Sequence, residues 1–295
     1  MERELWRRVT RALGRLPRWR PRGAVYDNRQ ILAVLLWPTL HDRGISWACR
    51  RENWPMQAWR RALPDQSTLS RRLRDTRLLE DLRGLVRILQ RPLGPAVMTL
   101  ILDGKPLEVS NVSADPDAAS GWAAGRYGRG YKLHTLIDAA GRLLGFALHP
   151  MNHAESVAAR ELLDQAAAAG LLPAGARVLA DSAYDSNPLY AAAAGHRLRL
   201  IAPRRKPGVS VSTSHRQHPD RLAAIRLTEF DPVQAAKLRL ERAAIERYFG
   251  ALASVGGGLI ALPAWARRLH RVRAWVAAKL VLNTARHVRR TTLAA

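Results

Sequence analysis

Cysteine is nearly absent from this chain: Cys49 is the only one. That excludes an internal disulfide framework and any cysteine-cluster zinc site, and it fits a reducing compartment. Acidic residues are few, 24 against 48 Lys and Arg, for a formal net charge of +24. Lysine is scarce too, confined to Lys105, Lys132, Lys206, Lys237 and Lys279, so the positive charge is almost all arginine. A field of that sign attracts polyanions, which makes nucleic acid the leading partner class and an anionic membrane surface the second. Long hydrophobic runs are also missing. The longest, Ile31 to Trp37 and Val97 to Leu102, are far too short to span a bilayer. The opening Met1-Glu-Arg-Glu-Leu-Trp-Arg-Arg lacks the apolar core of a signal peptide. The expectation is a soluble cytoplasmic protein with no membrane partner.

What is present is an apolar fraction of 47% over 295 residues, enough to bury one large core or two ordinary ones. Residues 1–24 form a basic arm, partly helical, with seven arginines from Arg7 to Arg22 around Trp6 and Trp19. It reads either as a solvated tail or as a segment lying along phosphates. Residues 25–92 are helical. Asp27 or Asn28 caps a helix that Pro38 ends, and a second helix covers Ser46 to Asn53. A third begins at Ser67 and carries Arg71, Arg72 and Arg74. It resembles the second helix of a helix-turn-helix, but a small bundle with a solvated arginine face fits equally well.

Leu93-Gly-Pro marks a boundary, and residues 93–292 change period. Val97–Asp103 and Val178–Asp181 are short apolar runs that each end in a carboxylate, the pattern of buried strands. Residues 108–129 read as a loop or irregular hairpin. Tyr131–Asp138 and Leu143–Leu148 read as an antiparallel pair, Glu155–Ala169 as an amphipathic helix capped by Asn152, and Arg197–Ala202 as a further strand. Residues 203–228 look like a basic loop holding Arg204, Arg205 and Lys206. Asp231–Leu252 is one helix carrying Glu246, and a buried helix runs from Ala264 to about Val288 behind an exposed basic start at Arg267–Arg273. This order gives an α/β, ribonuclease-H-like mixed five-stranded sheet with flanking helices, preceded by an N-terminal helical DNA-binding region.

Carboxylates at strand ends point into the crevice where such sheets bind ligands. Asp103, Asp181 and Glu246 are the candidate catalytic and metal-holding acids. Hard cations such as Mg²⁺ take oxygen ligands, and a two-metal site serves phosphodiester chemistry. Glu241 is the rival acid on the same helix. Arg242 either grips a phosphate or pairs with Glu246, and Arg247 is a further DNA contact. His134 and Lys132 line the site or pack in the core. Asp185 is read as the cap of the next helix. Asn152-His153-Ala-Glu155 lacks zinc-ligand spacing.

Asp103-Gly, Gly130-Tyr-Lys-Leu-His134, Leu179-Ala-Asp181-Ser-Ala-Tyr-Asp-Ser, Ala202-Pro-Arg-Arg-Lys and Glu241-Arg-Ala-Ala-Ile-Glu246-Arg-Tyr-Phe-Gly together resemble bacterial insertion-sequence transposases with an Asp-Asp-Glu site. The resemblance runs from about Tyr26 through the last helix. It implies strand cleavage and strand transfer at terminal inverted repeats, two Mg²⁺ ions with Mn²⁺ able to substitute, double-stranded DNA as partner at transposon ends and target, a homodimer on DNA, and a place at the nucleoid. The family's Tyr and Lys positions around the Glu are Arg239 and Ala253 here. Val255-Gly-Gly-Gly-Leu stands where basic residues are expected. An alternative reading is a transposase-derived DNA-binding protein that no longer cuts, and a third is a related nuclease without strand transfer.

Overall fold

The computed structural model describes residues 2–55, 62–110, 112–123, 125–208, 211, 216–254, 258–259, 262–263 and 265–294. In chain order, the first helices are α1 (Glu2–Arg15), α2 (Asn28–Leu40), α3 (Ile45–Ala48), α4 (Gln66–Arg72) and α5 (Thr76–Gln90). Strands β1 (Thr99–Glu108), β2 (Ala119–Ala123), β3 (Arg126–Asp138) and β4 (Leu143–Pro150) follow. Then come α6 (Glu155–Ala168), β5 (Arg177–Leu179), α7 (Asn187–Gly195), β6 (Arg199–Ile201) and α8 (Pro219–Glu229). The chain ends with α9 (Pro232–Arg242), α10 (Ala244–Ala253) and α11 (Leu269–Ala294). Two compact units result: Met1–Gly94 with Val112–Asp117 and Ala251–Ala295, and Pro95–Asn111 with Ala118–Gly250.

The first unit is helical. Leu5, Trp6, Val9, Ala12 and Leu13 repeat at helical spacing and are buried, so most of the expected arm is a packed amphipathic helix with its arginines on the outside. Asp27 caps α2 in a reciprocal box: its carboxylate accepts from Gln30 N, and Gln30 Oε1 accepts from Asp27 N. Pro38 does not end α2. It sits in the last turn, where only one intrahelical bond is forfeited, and Trp37 O still accepts from His41 N. Trp37 stacks on Trp54 at 5.1 Å, meets Trp6 edge-on at 4.8 Å, and donates its indole N–H to Asn53 O. The expected helix from Ser46 to Asn53 is α3 followed by a 3₁₀ turn at Arg51–Asn53. Asp65, not Ser67, caps α4; its carboxylate accepts from Thr68 N at 2.7 Å, and Ser67 Oγ itself donates to it. The last helix begins at Leu269, because Asp115 accepts from Arg268 N and Asp117 from Leu269 N. It packs against α5, α2 and α1, so it belongs with the N-terminal helices and not with the sheet. Arg267 to Arg273 are mostly half-buried rather than exposed.

The second unit is a six-stranded mixed sheet among the described residues, in the order β2-β3-β1-β5-β6 with β4 on β3. The sequence reading gave five. The extra strand, β2, lies inside 108–129, where Ser, Gly and Asp hide its alternation. β1 is central, antiparallel to β3 and parallel to β5, and Leu100, Ile101 and Leu102 are fully buried. That double-sided burial is why the strand reads as a continuous apolar run. α6 covers β3 and β4. Its N-cap is Ala154, with no side-chain cap from Asn152. Pro219–Glu229, expected as loop, is α8, started by Pro219 and by His218 Nδ1 accepting from Asp220 N. The single expected helix over Asp231–Leu252 is broken at Ala243 into α9 and α10.

Gly130 joins β1, β2 and β3. Its φ is +156°, and a Cβ there would lie 2.2 Å from Leu107 O. Since the obstacle is backbone in the sheet, Gly130→Ala is expected to destabilise by about 1–3 kcal/mol or more, measured by urea denaturation. An unchanged midpoint would mean that the strands separate there at no cost.

Candidate active site

The centre grows from strand register. β1 and β5 are parallel, with Ile101 opposite Leu179, so two residues further on Asp103, still paired with Thr135 of β3, and Asp181, just past the end of β5, fall at the same level on neighbouring strands, which lie about 4.8 Å apart. Asp103 Oδ1 accepts from its neighbour Gly104 N at 2.7 Å, and Oδ2 accepts from Arg242 Nη1 at 3.2 Å. Its pKa is pushed up to about 6, first by burial and then by the charges of Asp181 and Glu155, against the opposing pull of Gly104 N–H and Arg242. Asp181 Oδ1 accepts from Ala183 N and so caps the 3₁₀ turn Ser182–Tyr184. Tyr184 is 1% exposed and its hydroxyl has no hydrogen-bond partner. Burial raises its pKa well above the ordinary tyrosine value, and the charges of Asp103, Glu155 and Asp181 raise it further.

Next to this pair, Lys132 Nζ donates to Glu155 Oε1 at 2.6 Å. Both side chains are largely buried, while Glu155 Oε2 is buried with no partner. Sequence reasoning took Glu155 as the start of a helix and as part of a stretch without zinc-ligand spacing. His134 is fully buried and its pKa falls to about 3, chiefly by burial and then by His149. It is a packed core histidine.

Glu246 comes from a different element. It lies exposed in the first turn of α10, beyond the break at Ala243. Arg242 therefore pairs with Asp103 and not with Glu246. Glu241 is held by Arg177 at 2.9 Å. Among the described residues, no three His, Cys, Asp or Glu side chains lie close enough to hold a metal ion. Asp103 and Asp181 still fit a divalent cation: they are adjacent oxygen donors in a partly dry setting, and a positive charge would relieve the strain on Asp103.

The candidate DNA contacts divide. Arg71 and Arg74 are exposed on and just after α4. Arg72 is not available to phosphate: it is 9% exposed, donates to Tyr26 O at 2.7 Å and lies over the Trp19 ring. Arg204 is likewise engaged, bidentate on Glu229. Arg205 is exposed but donates to Ser182 O and Ala183 O, bracing the turn after Asp181. Lys206 and Arg247 are exposed. Asp185 does not cap α7; it is buried in a bidentate pair with Arg221 at 2.6 and 2.7 Å. Ala253 is the last residue of α10, and residues 255–257 of the glycine run lie outside the described residues.

A mixed sheet with flanking helices, with one acid on the central strand and a second just past the end of the parallel strand beside it, fits the ribonuclease-H-like class of nucleic-acid enzymes. The family model for the transposase DDE domain matches residues 98–283. The chain belongs to that family, so it is a transposase in the general sense, and proteins of this kind bind DNA and generally use divalent metal ions. No curated protein and no solved structure matches it. Among the described residues, no helix is long and apolar enough to cross a membrane.

Proposed function

We propose that this chain cuts and rejoins DNA strands at the terminal inverted repeats of an insertion sequence, using Asp103, Asp181 and Glu246 as its catalytic acids. The observation that carries the reading is the register of β1 and β5, which puts Asp103 within β1 level with Asp181 just past the end of β5. Asp103 and Asp181 would hold divalent cations, two Mg²⁺ or Mn²⁺, with Glu246 completing the set from α10. Such ions, when bound, activate the oxygen nucleophile and steady the charge on phosphorus. Arg242, anchored on Asp103, offers a guanidinium to the scissile phosphate. Water serves as nucleophile for cleavage and a DNA 3′-hydroxyl for transfer. Arg71, Arg74, Lys206 and Arg247 supply backbone contacts, and the helical residues 25–92 form the DNA-binding region. The protein acts as a dimer on paired ends, at the nucleoid.

The test is incubation of the full chain with supercoiled plasmid carrying the flanking genomic ends, in Mg²⁺, Mn²⁺ or EDTA. Metal-dependent nicked and joined products are the expected result. The exposed position of Glu246, together with Arg239 and Ala253, favours one second reading, a DNA-binding descendant that no longer cuts. Binding without any cutting in either metal would establish that reading instead.

A further inference from the structure

Lys105 lies two residues beyond Asp103 in β1. Strand alternation puts both side chains on one face of the sheet, roughly 7 Å apart along the strand. Gly104 between them faces the other way, where an added Cβ would meet Lys132 and His134. The helices that follow the sheet reach the Asp103 face. Arg242, at the end of α9, donates to Asp103 Oδ2, and Lys105 Nζ stands 5.7 Å from the ring centre of Phe249 in α10. Glu246 falls between these anchors in the chain, four residues past Arg242 and three before Phe249.

The two cations differ in what holds them. Arg242 has the Asp103 carboxylate. Lys105 is half-buried, and among the described residues no carboxylate pairs with it. Burial lowers its pKa, with no acid opposing the shift. A part-buried ammonium with only an aromatic ring beside it is short of an anion. Asp103 does not supply one, being engaged by Gly104 N–H and Arg242. The anion that strand cutting brings to this face is a run of phosphates.

We propose that Lys105 grips a phosphate of the DNA strand being cut, next to the scissile phosphate that Arg242 addresses. The inference rests on the reading given under Proposed function and deepens it by naming a contact on the catalytic face itself. Phe249 is then a positioning residue: its ring draws the flexible lysine stem along the sheet and away from Asp103. An ammonium paired with Asp103 would cancel the charge that a metal ion needs there. The line from Asp103 to Lys105 sets the path of the strand along β1.

The experiment is equilibrium binding of the full chain to a duplex carrying one flanking genomic end, in EDTA, over a series of salt concentrations. Without metal the readout does not depend on cutting. Wild type, Lys105→Met and Lys105→Arg are compared, each checked for folding by thermal melting. Lys105→Met is expected to bind roughly three- to tenfold more weakly near about 0.1 M salt, with the slope of log affinity against log salt smaller by about 1. Lys105→Arg keeps the slope, because it keeps the charge. A neutral methylphosphonate is then placed at each terminal phosphate in turn: one position weakens wild type and costs Lys105→Met nothing. A lysine that only packs on Phe249 leaves the slope untouched. That result, or methylphosphonate costs equal in the two proteins at every position, would overturn the proposal. Wild type that binds no duplex at all would instead remove the DNA reading, and this inference with it.

Discussion

Asp103→Asn loses metal-dependent DNA cutting by on the order of 10³-fold, and the metal-free protein becomes more stable at neutral pH. Both effects have one origin. Burial raises the Asp103 pKa from 3.8 to about 6, so the folded chain holds this proton more tightly than the unfolded chain does. Stability therefore falls as pH rises from about 4 to about 6, and the full penalty is present above that window. The shift is equivalent to about 3 kcal/mol, and loss of the Arg242 pair at 3.2 Å offsets part of it. The asparagine variant should be about 1–3 kcal/mol more stable at pH 7.5, with the gap closing toward pH 4. Urea melts across that range, with and without Mn²⁺, measure it. Mn²⁺ should stabilise wild type and not the variant, since only a ligand of the folded state shifts the melt. A variant less stable at pH 7.5, or one that still cuts, would sink the account.

Trp37→Ala is expected to cost about 3–5 kcal/mol. The ring is 6% exposed, stacks on Trp54, meets Trp6 edge-on, and satisfies Asn53 O. Removing it leaves a cavity among three elements and orphans a carbonyl. These neighbours come from α1, α2 and the turn after Arg51, so they cannot collapse together by moving one helix. Urea denaturation followed by far-ultraviolet circular dichroism reads the loss. A change below about 1 kcal/mol would mean that the site repacks, as volume-tolerant sites do.

The sequence disclosed what local pattern controls. Apolar runs ending in Asp103 and Asp181 read as strands because both faces of β1 and β5 are buried, and the cap before α2 could be narrowed to Asp27 or Asn28 because capping is a matter of three residues. Long-range partners stayed hidden. Arg72 and Arg204 look like any other arginine in an arginine-rich chain, yet one is folded against Tyr26 and Trp19 and the other against Glu229. Asp185 has the position of a cap and the partner Arg221, 36 residues away. β2 escaped notice because a short strand rich in Gly and Ser carries almost no period. The break at Ala243 escaped because alanine is the best helix former; nothing local announces that Arg242 turns inward to Asp103. The pairing of Glu155 with Lys132, 23 residues earlier, was hidden for the same reason.

The helical unit draws on three separated stretches of chain. Its apolar faces on α2 and α5 find their largest partner only in α11, beginning at Leu269, whose first amides are capped by acids from Val112–Asp117. On a ribosome moving at about 5–20 residues per second, those faces wait roughly 10–40 s for their partner. The sheet unit, complete by Gly250, is synthesised within that interval. Whatever the helical unit contributes to recognising DNA is thus withheld from the nascent chain until synthesis has passed through α11.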